Sequence, residues 1–274
     1  MSDAAAPLDA VAPGTLGEDE KDSAGYSWIV RLLPFMEEQI LYDELLRSST
    51  NQTVRPFETD VNDSQGEHVS ARQLSAVRCP AYAEKTVTYG AGSEYDDLAI
   101  QGRAAISSYA AVVGTHADPA EGIQENGILV SRCEMAPETC RGEGVRLEDI
   151  GDGISQTIII CETNEPIYSA WYDGQAAWVV GLTWQDSDAS DERRTNVTRQ
   201  PMLGQSGYSD IALGRRWPGR LARDRGPGSD HPDGVVMHAF ADAHARGLTR
   251  EVDPAIYYRL ITRDGGERVA IDEL

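Results

Sequence analysis

Long apolar runs are missing from this sequence. No stretch approaches the roughly 20 apolar residues that a membrane-spanning helix requires, which excludes a body built of such helices. Basic side chains are scarce as well: 24 Lys and Arg stand against 45 Asp and Glu in 274 residues, a formal net charge of −21. A surface this acidic repels phosphate backbones and anionic lipids, so nucleic acid is not an expected partner. Met1 to Ser23 has neither the basic start nor the apolar stretch of a secretory leader. The expectation is therefore that the protein works inside the cell, or that its export segment lies outside this sequence. Also lacking are a nucleophile elbow, a His-Glu-x-x-His pair, a Walker loop and a dinucleotide-binding glycine loop. No enzymatic activity and no cofactor are expected. A hydrolase reading would require Glu162, His231 and Asp242 to converge in one cleft.

What is present is an ordinary globular composition, 41% hydrophobic and 25% charged. Residues 1–25, rich in Ala, Pro, Gly and acidic side chains, read as a flexible N-terminal segment, and residues 26–274 as a single domain. Within it, residues 183–230 mix arginines with Gly, Pro and Ser and read as a loop-rich excursion. Its arginines are expected to pair with the surplus carboxylates rather than with a polyanion.

Local patterns place the elements. Pro34 suits the first position of a helix running to Arg47, with Glu37 and Glu38 near its positive end and Arg47 near its negative end. Leu33, Met36, Ile40, Leu41 and Leu45 give that helix its apolar face, with Trp28 packed beside it. Short apolar or alternating runs follow at Val87–Tyr89, Ile106–Val113, Gly127–Val130, Thr157–Cys161, Ala176–Leu182 and Val235–Phe240, separated by Gly, Asp, Asn and Pro clusters. Leu147–Ile150 reads as one helical turn, and Asp253-Pro254 as the cap of a closing helix. A helix, many short strands and a last helix predict an α+β fold in which the N-terminal amphipathic helix packs on a mainly antiparallel sheet.

Four cysteines are present. Cys133 and Cys140 bracket a short polar, Pro-containing segment and are expected to form a small disulfide loop, which implies an oxidising compartment. A zinc knuckle would need Cys-x-x-Cys spacing, which is absent. Asp230, His231, Asp233, His238, Asp242 and His244 crowd one segment. His231, Asp233 and Asp242 are candidate ligands for calcium or zinc. The competing reading is that His231 and Asp242 anchor a hairpin turn by bonding to backbone. His238 and His244, an even number of positions apart, are placed on one sheet face. Glu162, at the inner end of an Ile-rich strand, must be paired or belong to a site, because an isolated buried charge is costly. Trp171, Tyr172, Trp178 and Trp184 form either a glycan-binding platform or part of the core.

Four blocks carry a family resemblance. They are Ser27-Trp-Ile-Val-Arg-Leu-Leu-Pro-Phe-Met-Glu-Glu-Gln-Ile-Leu-Tyr42, Val77-Arg-Cys-Pro80, Asp149-Ile-Gly-Asp-Gly-Ile-Ser-Gln-Thr-Ile-Ile-Ile-Cys-Glu162, and Ser229-Asp-His-Pro-Asp-Gly-Val-Val-Met-His-Ala-Phe-Ala-Asp242. The last is followed by Leu260-Ile-Thr-Arg-Asp-Gly-Gly-Glu267. In this order they resemble a pilin-like family abundant in planctomycete bacteria, whose members are labelled prepilin-type-processing-associated H-X9-DG proteins. Two departures stand out. The family's N-terminal prepilin segment is not among these residues, and Ala243 stands where that motif has Gly. The resemblance implies a pilin- or pseudopilin-like head at the cell surface or in a secretion assembly, with protein partners. Membrane attachment would come only through the prepilin helix, and a secreted glycan- or solute-binding module is the alternative.

Overall fold

In a computed structural model of the chain, the structure describes residues 26–48, 66, 68–82, 105–115, 117–118, 122–123, 126–129, 145–163, 170–172, 177–181, 226–232, 234–249, 252–266 and 269. The expected disulfide pair Cys133 and Cys140, Asp233, Trp184, residues 1–25 and most of the 183–230 excursion lie outside the described residues.

The N-terminal block does not form one helix. Ser27 caps α1 (Trp28–Leu32), its hydroxyl accepting from the Ile29 amide. A 3₁₀ turn, Leu33–Met36, follows, with Pro34 at its start. Glu37 then takes a left-handed backbone (φ 63°), and α2 restarts at Gln39–Ser48. The break changes which side chains face inward. Leu33, Leu41 and Leu45 are buried, whereas Ile40, expected on the apolar face, is 71% exposed and Phe35 is 85% exposed. Trp28 and Met36 are partly buried against the core. Within α2, Ile40 lies about 100° round the helix from Leu41 and about 140° from Leu45, so burying those two leucines turns Ile40 to solvent, while the left-handed Glu37 breaks the phase that would have tied it to Leu33 and Met36.

Five strands form one sheet in the order β5-β1-β4-β6-β7: β1 (Tyr109–Gly114), β4 (Ile158–Glu162), β5 (Trp178–Val180), β6 (Val235–Phe240) and β7 (Ala245–Thr249). The β1–β4, β4–β6 and β6–β7 pairs are antiparallel, and β1–β5 is parallel. A separate two-stranded pair joins β2 (Ala117–Asp118) to β3 (Gly122–Ile123). Gly127–Leu129, expected to be strand, is a bend in which Gly127 donates to the Val113 carbonyl. Leu147–Asp149 is a single 3₁₀ turn.

The strict alternation of β6 explains its packing. Val236, His238 and Phe240 are buried while their neighbours are half-buried, so one face of the strand looks inward. That face meets α3 (Pro254–Arg259), whose Tyr257 sits in one cluster with Ala110, Val112, Ile158, Cys161, Val179, Leu248, Leu260 and Ile261. Asp253 caps α3 by accepting from the Ala255 amide at 2.7 Å. A second cluster joins Ile29, Val30, Leu33, Leu41 and Leu45 to Val69, Leu74, Val77, Trp171 and Tyr172. Trp28 also touches the strand residues Ala111, Val113, Trp178 and Val180 and donates its ring N–H to the Ala177 carbonyl at 2.8 Å. Truncating a leucine such as Leu33 or Leu41 to alanine in such a cluster costs about 2–5 kcal/mol.

Candidate functional site

The strand order brings three distant segments to one end of the sheet. Because β4 lies between β1 and β6 and runs antiparallel to both, its last residue, Glu162, stands beside Tyr109 at the start of β1. That same end adjoins the chain entering β6. The segment before β1 brings a third segment of the chain to this end: Ser108 donates from its amide to the Val77 carbonyl at 2.8 Å, which holds Val77, Arg78 and Cys79 against it. Cys79 opens a turn closed by the Tyr82 amide bonding back to the Cys79 carbonyl at 3.1 Å. Arg78 lies over the Tyr82 ring, 5.4 Å from its centre.

Glu162 is directed into this end by the pleat and by an irregularity. Pairing between β4 and β6 shifts register between Ile158 and Ile160, so that Ile158 and Cys161, three apart, both join the cluster on the α3 side. The next side chain, Glu162, turns to the opposite face. It is 1% exposed, and its Oε2 accepts from the Met237 amide at 3.2 Å. Its own carbonyl accepts from the Gly228 amide at 3.0 Å, and Thr163 donates through its hydroxyl to the Gly226 carbonyl. These bonds lash the 226–231 segment alongside the end of β4. His231 is then set by a short local frame: its amide donates to Ser229 Oγ at 3.1 Å, and its carbonyl accepts from Gly234. Gly234 has φ of +70°, a conformation that suits glycine and turns the chain into β6.

Cys79, Glu162 and His231 converge. His231 Nε2 lies 3.5 Å from Cys79 Sγ and 3.3 Å from Glu162 Oε1, and the donor atoms of all three lie within 4.8 Å of one another. Glu162 Oε1 is buried and has no directed hydrogen bond among the described residues. The 3.3 Å approach to His231 is an ion-pair distance rather than an aligned bond. Cys79 is buried, Glu162 is buried and the His231 side chain is 32% exposed. Burial pushes the Cys79 thiol up from its ordinary value, and the neighbouring Glu162 carboxylate adds to the shift. A thiol held neutral in this way is a poor nucleophile. The topology points the same way. In a nucleophile–base–carboxylate relay the imidazole uses one nitrogen for each partner, whereas here thiol and carboxylate share Nε2.

The structure separates residues that the sequence grouped together. His231 and Asp242 flank β6 at its opposite ends, and six strand residues span about 20 Å, so they do not share a ligand sphere. Asp242 sits in the β6–β7 turn, where its carboxylate accepts from the His244 amide at 3.1 Å and lies 2.6 Å from His244 Nδ1. That side-chain bond holds the Asp242 carboxyl below its ordinary value. His238 and His244 share a face through Phe240, which alternates with His238 along β6 and stacks on His244, but the two imidazoles differ in burial and do not meet. His238 is buried, with Nδ1 2.9 Å from the Val236 carbonyl and Nε2 2.9 Å from the Tyr257 hydroxyl. His244 is exposed and stacks on Phe240 at 4.3 Å. Since the carbonyl can only accept, Nδ1 carries the proton and Nε2 accepts from Tyr257. Trp171, Tyr172 and Trp178 are core residues, each 4% exposed or less, and offer no ring face to a sugar. Asp152 reaches across the molecule to residues 262–266. It accepts from the Gly265 amide at 2.7 Å, the Gly266 amide at 2.8 Å and the Thr262 hydroxyl at 3.1 Å.

Sequence reasoning singled out Glu162 and His231 but gave Cys79 no role in a site. No spacing rule finds it, since Cys79 and His231 are 152 residues apart. The one available signal was that three of the four blocks quoted above each supply one member of the trio. Against known proteins, a family model described as "Protein of unknown function (DUF1559)" matches residues 7–255. No curated protein matches the chain, and no solved structure does.

Proposed function

The chain belongs to that family of unknown function, and from this premise we propose that it is the non-enzymatic head of a pilin-like or pseudopilin-like protein at the cell surface, acting in assembly or recognition. The observation that carries the reading is the exposure of Phe35 and Ile40 on either side of the left-handed Glu37. Large apolar side chains left in water beside a buried cluster favour contact with another protein surface, and these two fall inside the Ser27–Tyr42 block whose wording is pilin-like. The four blocks in register support the same reading. The sheet and its two flanking clusters give a rigid platform from which such a patch can be presented.

Immunogold labelling of producing cells with antibody to the chain tests the proposal. Label is expected at the cell surface on extended assemblies. The Phe35→Ser/Ile40→Ser double variant is expected to keep its thermal melting midpoint, because both side chains are exposed, while losing its place in those assemblies. Label confined to the cytoplasm, or assembly unaffected by the double variant, would overturn this reading.

A further inference from the structure

The geometry points to a divalent transition-metal site of the zinc class formed by Cys79, Glu162 and His231, independent of the pilin-like reading. The first argument is the donor set. A thiolate, an imidazole and a carboxylate are the three side chains that zinc takes as ligands. Calcium and magnesium favour oxygen ligands and are disfavoured by the sulfur and nitrogen.

The second argument is spacing. With zinc–sulfur bonds of about 2.3 Å and zinc–nitrogen or zinc–oxygen bonds of about 2.0–2.1 Å at tetrahedral angles, sulfur and nitrogen ligands stand about 3.6 Å apart, and nitrogen and oxygen ligands about 3.3 Å apart. The observed separations from His231 Nε2 are 3.5 Å to Cys79 Sγ and 3.3 Å to Glu162 Oε1. Both neighbours converge on the one nitrogen, as ligands around a common centre do.

The third argument is the carboxylate. Glu162 is 1% exposed, and its Oε1 lacks a directed hydrogen bond among the described residues. A buried carboxylate oxygen set between a thiol and an imidazole is placed to bind a cation that all three groups can share. Its other oxygen is fixed by the Met237 amide, an outer hydrogen bond of the kind that orients metal-ligating carboxylates. Three protein ligands leave a fourth position for water on the half-exposed His231 side. Binding would tie the Cys79 turn, the end of β4 and the 226–231 segment together. The thiol gives up its proton to solvent as the metal–sulfur bond forms.

The experiment uses the full chain, freed of metal by a chelator and titrated with zinc chloride or cobalt chloride. One ion per chain is expected, together with a rise of several degrees in the zinc-loaded melting midpoint that the chelator reverses. The cobalt form is expected to show thiolate-to-cobalt charge-transfer absorption and the intense visible bands of a tetrahedral centre. Those bands are expected to vanish in Cys79→Ser and His231→Gln and to persist in the Cys133→Ser/Cys140→Ser double variant. X-ray absorption at the zinc edge of the loaded wild type, which depends on no variant, is expected to show one sulfur among nitrogen and oxygen ligands. No stoichiometric binding by the wild type, bands that survive in a folded Cys79→Ser protein, or a shell containing no sulfur or more than one would each overturn the site.

Discussion

The two ends of β6 carry the same kinds of side chain and use them in opposite ways. At the entry end, His231 meets a carboxylate and a thiol brought from elsewhere in the chain, and two of the three groups are buried. At the exit end, Asp242 and His244 bond to each other across two residues in solvent. Imidazole and carboxylate are present in both places, so chemistry alone does not separate them. Burial and the distance along the chain between partners do. A buried long-range contact orders whole segments, whereas an exposed local pair is screened by water and is worth little.

The largest expected effect lies between the two ends, at His238. Burial pulls this imidazole down from 6.5 to about 4. In the unfolded chain it binds a proton at higher pH than in the folded one, so its contribution is fully present above about pH 6.5 and is lost as pH falls towards 4. The loss is on the order of 3 kcal/mol. The titratable groups around it are Tyr257, pushed well up by burial, and Cys161, its partner on β4, likewise pushed up. Arg246 faces it in register on β7. Denaturant melts from pH 7 to 4 should show a steeper fall for wild type than for His238→Phe. Parallel curves would remove His238 as the cause.

Asp152→Ala sharpens the comparison with Asp242, since both are aspartates in turns. Asp152 holds two backbone amides and a hydroxyl from the far end of the chain. Its removal should cost about 2–3 kcal/mol by chemical denaturation, and hydrogen exchange at Gly265 and Gly266 should accelerate. A midpoint equal to the wild type would show that the 263–266 loop is held by other contacts.

A smaller effect of opposite sign is expected in the exit turn. Ala243 has φ of +69°, a left-handed conformation that burdens any residue with a Cβ. Ala243→Gly should therefore stabilise the protein by about 1 kcal/mol, read as a rise in the thermal midpoint. A fall would mean that the turn does not hold the left-handed form in solution. The smallest effect belongs to Asp242→Ala, which should leave the thermal midpoint close to that of the wild type, because its bonds to His244 are exposed to solvent.

Local signals served well where a few neighbouring residues define an element. The Asp253-Pro254 cap and the alternation of β6 are both visible in a short window of sequence and both appear in the fold. The helix expected over Pro34–Arg47 was broken by something a propensity pattern does not carry, the left-handed turn at Glu37, after which α2 buries Leu41 and Leu45 and leaves Ile40 on its outer face. The aromatic group around Trp171, read as either a platform or, by preference, a core, was decided by burial, because the same rings serve either purpose.

Composition and local pattern by themselves determined the acidic composition, the placement of β4 and β6 within expected apolar runs, and the expectation that a carboxylate at Glu162 needs a partner. Only the tertiary structure decided who that partner is. Placing β4 between β1 and β6 brings its last residue to the same sheet end as Cys79 and His231, and strand order depends on long-range hydrogen bonds that leave no periodic trace in the chain. The same rule separated His231 from Asp242. They are near neighbours in sequence, but an extended strand rises about 3.3 Å per residue and carries them to opposite ends of the sheet.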